Sequence, residues 1–212
     1  MDEMTKRLIE AGRTIVEKGL TWGTSGNISV RRQDRIWITA SGTRIGALTE
    51  EDILVCDPEG RVVAGRKKPS KETGMHLAVY RERPDAEGIV HCSPFYTTLC
   101  ACSGIALKTN LFIEAMYYDR KVARIPYYHA GSSELAQGAA QAAKEAGVIL
   151  MSNHGILTMD ACLEEAVMAV EITEQMCKMN VLASMGGFGL TETDSGMVEA
   201  FLTRGYYKKV KR

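Results

Sequence analysis

Two of the four histidines, His91 and His154, fall at the ends of apolar runs beside glycine or turn residues, where an imidazole projects into a cleft rather than a core. Histidines so placed suit a divalent metal, for which neutral imidazole is a common ligand. Glu72 follows Ser70 and Lys71 in what reads as the first turn of a helix, where free N–H groups and the positive dipole end favour anions. A carboxylate there can bind a metal or act as a general base. Three loops rich in small residues and hydrogen-bond donors accompany these groups: Gly23-Thr24-Ser25-Gly26-Asn27, Ser41-Gly42 and Ser70-Lys71. Together they can cradle a phosphate. Each feature also has a plainer alternative: satisfied histidines near a sheet edge, an acidic residue complementing a helix dipole, and ordinary glycine and serine turns. No HExxH or similar short spacing decides between the two sets.

The elements that must position these residues follow from the pattern. Residues 1–19 form a charged amphipathic stretch with Leu8, Ile9, Ala11, Ile15 and Val16 near helical spacing. Residues 27–31 and 35–39 alternate around a polar turn and predict an antiparallel hairpin; 53–56 and 61–64 flank Asp57-Pro58-Glu59-Gly60 and predict a second. Ser70 is the expected N-cap of a helix over 71–80, stopped by Arg83-Pro84. Residues 87–91 read as a buried strand. Ser132 or Ser133 caps a helix running to Glu145, and Gly147 ends it before the apolar strand 148–151, which leads into Ser152-Asn153-His154-Gly155. Asp160 is expected to cap a long helix from 161 to about 184, with Leu163, Ala166, Val167, Val170, Thr173 and Met176 on one face. Gly186 to Gly189 read as a break before a short terminal helix. Hairpins interleaved with helices predict a mainly antiparallel sheet with helices packed on it.

With 212 residues, 45% of them apolar and 25% charged, the chain suits one core, a single domain over 1–212. Lys plus Arg equals Asp plus Glu, and like charges gather most densely in the short tail Lys208, Lys209, Lys211 and Arg212, so no nucleic-acid partner is indicated. That tail reads either as a solvated terminus or as a lid or subunit contact that meets a phosphate. No stretch approaches the roughly 20 apolar residues that cross a bilayer. No signal-peptide core begins the chain, and the six cysteines form no CxxC pair, which together point to a reducing cytoplasm and no membrane partner.

In order, GTSGNIS, ITASG, PSKE before a helix, IVH, and SNHG after an apolar strand resemble the zinc-dependent class II aldolase and adducin family. The resemblance is closest to its L-fuculose-1-phosphate aldolase branch, with L-ribulose-5-phosphate 4-epimerase and adducin heads more distant, and it covers nearly the whole chain. It implies an α/β fold, a three-layer α/β/α domain with a central, mainly antiparallel sheet. It also implies a homotetramer with active sites between subunits, a sugar-phosphate substrate, and a divalent metal, usually Zn2+. By position, the resemblance puts Asn27, Ser41, Gly42, Ser70 and Lys71 on the substrate phosphate, Glu72 on the catalytic acid/base beside the metal, and His91 and His154 on the metal. The implied reaction is cleavage of a phosphorylated ketose to dihydroxyacetone phosphate and an aldehyde.

Two positions depart from the family's pattern. The family writes its first ligands as His-x-His, so that both leave one face of a strand. Here the run is His91-Cys92-Ser93, and a neutral hydroxyl is a poor zinc ligand. Cys92 reaches a metal only if the strand ends or bulges at His91, which Pro94 permits. Phe112 falls where the fuculose-phosphate aldolases carry a proton-donating tyrosine. Tyr117, Tyr118, Tyr206 and Tyr207 are the candidates to replace it, or else packing aromatics. The expectation is therefore a metal-dependent aldolase. The alternatives are epimerisation or decarboxylation on the same scaffold, or an inactive adducin-like assembly protein.

Overall fold

The computed structural model describes residues 1–119 and 121–208, so of the basic tail only Lys208 lies among the described residues. The chain forms one eight-stranded sheet. Its strands are β1 (Asn27–Arg32), β2 (Arg35–Thr39), β3 (Ile53–Cys56), β4 (Val62–Ala64), β5 (Gly88–Cys92), β6 (Val122–Ile125), β7 (Val148–Met151) and β8 (Gly155–Asp160). They lie in the order β4-β3-β2-β1-β5-β8-β7-β6, and every neighbouring pair is antiparallel except β6 with β7. Helices α1 (Glu3–Glu17), α3 (Phe95–Ala101), α4 (Ile113–Tyr118) and α6 (Leu163–Gly186) belong to one face, and α2 (Thr73–Glu82) and α5 (Ser133–Ala143) cover the other. A last helix, α7 (Ser195–Arg204), packs on α4.

The period-two alternation of the strands makes these layers. Ile28, Val30, Val90, Cys92, Leu150 and Ile156 join Leu8, Ile15 and Leu163 in one core cluster. Their neighbours Ile89, Ile149, Met151 and Leu157 join Met75, Val79 and Leu135 in the second. Each Leu or Ile buried this fully contributes about 1.5–3 kcal/mol. Arg31 locks the second layer to the sheet: its guanidinium donates to the carbonyls of Tyr80, Arg83, Pro84 and Ala86, which fixes the end of α2 and the turn after it.

Several boundaries shift from the sequence reading. The helix after Ser70 starts at Thr73, with Glu72 itself at the N-cap. Ser70 Oγ instead accepts from the Glu72 N–H, closing a turn ahead of the helix. The long helix begins at Leu163, because Asp160 stays in β8 and its carboxylate accepts from Ala161 N–H. Elements α3, α4, β6 and β8 were not foreseen.

Candidate active site

Antiparallel pairing sets Asn27 of β1 directly opposite His91 of β5, and both side chains turn to the α2 face. Glu72 reaches the same place from the N-cap of α2, and His154 from the three-residue turn between β7 and β8. Gly26 and Gly155, both at positive φ, let the two loops carrying Asn27 and His154 lie against the backbone at the end of β5. Ligand atoms of Glu72, His91 and His154 all lie within 4.8 Å of one another, the one such cluster of metal-binding side chains among the described residues.

His91 Nδ1 lies 2.9 Å from the Ile156 carbonyl oxygen, which can only accept, so Nδ1 carries the ring proton and Nε2 presents a bare lone pair. That lone pair faces Glu72 Oε2 at 3.3 Å. Burial pushes the His91 imidazole below its ordinary value, so no proton sits between the two acceptors. Glu72 Oε1 stands 3.0 Å from His154 Nε2 but off the direction a hydrogen bond needs, and it is buried with no hydrogen-bond partner. Burial works to raise the Glu72 carboxyl, but His154, His91 and the Asn27 amide outweigh it and hold it at about 2. An ionised carboxylate and two imidazoles, oriented by hydrogen bonds on their far sides and with an uncompleted oxygen between them, fit a divalent cation.

The three predicted phosphate loops lie at the same end of the sheet. The Ala40–Pro69 bridge and the Ser70 N–H donated to Thr39 O bring Ser41-Gly42 beside Ser70-Lys71, and Ile28 N–H reaches Thr39 Oγ1 from the start of β1. Ser41, Gly42 and Lys71 are exposed and Ser70 is half-buried. Asn27 differs: its side chain is buried and its amide is engaged by Glu72 and His76.

Cys92 is no ligand. The strand continues regularly through it, the side chain packs in the opposite layer, and burial pushes its thiol up. Ser93 pairs its hydroxyl with Ser25 Oγ at 2.8 Å and with the His154 carbonyl at 3.3 Å, tying together the loops on either side of the cluster. Phe112 packs beside α6. Tyr117 and Tyr118 stack with each other near Tyr207 and Lys208, by Asp160 and Val148. That is the opposite end of β8 from His154, roughly 17–20 Å away for a strand of this length. His76 was not singled out from the sequence. It lies one helical turn beyond Glu72, and a Glu-x-x-x-His spacing on one helix face was the signal available. Its ring is fully buried, and burial lowers it to about 3, so it is neutral.

Known proteins share this architecture. A family model described as Class II Aldolase and Adducin N-terminal domain matches residues 6–181. The L-fuculose phosphate aldolase of Methanocaldococcus jannaschii is 32% identical over 177 residues, 84% of this chain and 95% of its own. The 3-oxo-tetronate 4-phosphate decarboxylase of Haemophilus influenzae is 35% identical over 178 residues, 81% of this chain and 84% of its own. A solved L-fuculose 1-phosphate aldolase superposes with a TM-score of 0.85 at 32% identity, covering 98% of each chain. These matches run through every strand and helix that contributes to the donor cluster, and the chain therefore belongs to the class II aldolase and adducin family, as an enzyme of the aldolase kind.

Proposed function

We propose that this enzyme cleaves a phosphorylated ketose between C3 and C4, giving dihydroxyacetone phosphate and an aldehyde. The observation that carries the reading is the Glu72 carboxylate, ionised and uncompleted between two imidazoles, next to three donor-rich loops. His91, His154 and Glu72 would hold a divalent ion, for which we assign Zn2+, because two histidines and one glutamate with open positions form a catalytic zinc set. When bound, the ion supplies Lewis-acid stabilisation of the negative charge that carbon–carbon cleavage leaves on the substrate. Glu72 takes the hydroxyl proton as the bond breaks and returns one to carbon, a task suited to a carboxylate held within reach and ionised at neutral pH. Backbone and side-chain donors of Ser41, Gly42, Ser70 and Lys71 hold the phosphate, turning remote binding into orientation of the reacting end, while the buried Asn27 amide is already engaged by Glu72 and His76.

A homotetramer with sites at subunit boundaries is part of this reading. Tyr118 is buried with its hydroxyl engaged by Glu165 and Lys208, so it belongs to its own chain's packing. Phe95 and Leu99 on α3 and Leu182 and Met185 on α6 offer exposed apolar surface for assembly. The free, mostly buried cysteines are in keeping with a cytoplasmic enzyme.

The test is a panel of ketose 1-phosphates with zinc-loaded protein, following dihydroxyacetone phosphate through a coupled NADH assay. Release from one member supports the reading; no cleavage of any member overturns it. A second reading, decarboxylation of a related sugar-acid phosphate, is favoured by Ser93 in place of the third imidazole and by the Haemophilus influenzae relative's name. Carbon dioxide release without an aldehyde distinguishes it. An assembly protein without chemistry would instead bind no divalent ion at neutral pH.

A further inference from the structure

One buried residue outside the donor cluster faces it through a single intermediary. His76 lies fully buried on α2, with Nε2 2.6 Å from Asn27 Oδ1 and Nδ1 2.7 Å from Ser29 Oγ. Asn27 Nδ2 in turn donates to Glu72 Oε2 at 2.8 Å. An ionised carboxylate only accepts, so Asn27 must turn its NH2 to Glu72 and its carbonyl to His76. A carbonyl only accepts, so the ring proton of His76 sits on Nε2. Nδ1 is then a lone pair and receives the Ser29 hydroxyl proton, while the Ser29 oxygen is free to accept from Tyr80 OH at 2.9 Å. The bonds from Glu72 through Asn27 to the His76 Nε2 are directed from the Glu72 end; beyond Ser29 the Tyr80 hydroxyl also has the Glu87 carbonyl, at 3.3 Å, to donate to.

We propose that His76 is a positioning residue for Glu72, acting through Asn27. Its Nε2–H fixes which way the Asn27 amide points, and the amide fixes the carboxylate so that Oε2 is tied down while Oε1 stays turned toward His154. Without that N–H, the Asn27 amide can turn over and present its oxygen to the carboxylate, which loosens the one anionic donor of the cluster. Mere packing makes a different demand, since a side chain that only fills space needs its shape and not a proton on one chosen nitrogen. The inference rests on the reading that Glu72, His91 and His154 hold a divalent ion.

The experiment is zinc affinity by chelator competition for wild type, His76→Leu and His76→Gln, with circular dichroism and thermal midpoint recorded for each. Alongside it, 15N NMR of the metal-free wild type reads the His76 tautomer. Glutamine keeps a donor toward Asn27; leucine does not. Expected are the Nε2–H tautomer, a loss of about 10–100-fold in zinc affinity for His76→Leu, and recovery to within about threefold of wild type for His76→Gln. A folded His76→Leu with unchanged affinity overturns the proposal, as does a His76→Gln loss equal to that of His76→Leu, or a ring proton on Nδ1. Should wild type bind no zinc, the underlying metal reading fails by itself, and the tautomer, measured without metal, still decides the direction of the network.

Discussion

Gly155 sits so close to the end of β5 that a Cβ on it would stand 2.5 Å from the Cys92 carbonyl oxygen. The same atom would stand 3.0 Å from Ser93 Oγ, and the residue's φ of +147° is one that L side chains rarely adopt. Gly155→Ala is therefore expected to destabilise the fold by about 1–3 kcal/mol and to push His154 out of line. Urea unfolding reads the first effect and zinc competition the second. Wild-type values for both would show that the β7–β8 turn has slack.

Metal content gives a direct check on the donor cluster. Protein purified without chelator is expected to carry about one divalent ion per chain, and His154→Ala to lose it, since only two of three donors then remain. Plasma mass spectrometry measures this, and equal content in both proteins would remove His154 from the site.

Ser93→His restores an imidazole at the position the family's pattern assigns to a ligand. If the alternation of β5 carries through to residue 93, zinc affinity should rise by roughly tenfold or more. The hydroxyl pair with Ser25 is given up in the exchange. Unchanged affinity would mean that the serine lies off the cluster and acts only as a tie between loops.

Lys71 is exposed beside the loops predicted to hold phosphate. Lys71→Ala should raise KM for the phosphorylated substrate by about tenfold, more than it lowers kcat, because a contact to a non-reacting group mainly binds. Steady-state kinetics on whichever substrate the panel identifies tests this, and an unmoved KM would contradict the role.

Asp119 makes a prediction about pH. It is buried, with Oδ1 accepting from Thr173 Oγ1 at 2.6 Å and Oδ2 without a partner. Burial pushes its carboxyl up to about 7. The unfolded-state value is about 3.9, so the folded state binds the extra proton; its contribution to stability is complete below that value and is lost as pH rises through about 7. Urea midpoints should fall between pH 5 and pH 8 in wild type, and fall less in Asp119→Asn. An identical fall in the variant would assign the pH dependence to other groups.

The parts legible in the sequence are those written in local pattern. The hairpin of β1 and β2 follows from alternation, the strand 148–151 from its unbroken apolar run and the buried face of α6 from helical spacing, and the glycine-bearing loops mark where the chain turns. What stayed hidden depends on partners distant in sequence. Strand β8 opens at Gly155, inside the Ser152-Asn153-His154-Gly155 turn run, so the turn residues mask where the strand starts, and β6 is legible only through its pairing with β7. Ser70 looked like an N-cap, but its hydroxyl closes a turn one step earlier, freeing Glu72 from capping duty. His76 is marked in the sequence only by its four-residue spacing from Glu72, because its importance arises only when β1 is laid across α2.

The three donors of the cluster sit at positions 72, 91 and 154, on a helix cap, a strand end and a hairpin turn. Far apart along the chain, they have no reason to meet before the sheet is assembled, so the unfolded protein offers an ion little to bind. Occupancy and folding are then thermodynamically linked: free metal at a hundred times its dissociation constant would add about 2.7 kcal/mol to the folded state. In a cell, the supply of that ion would then set how long this enzyme survives as well as how fast it works.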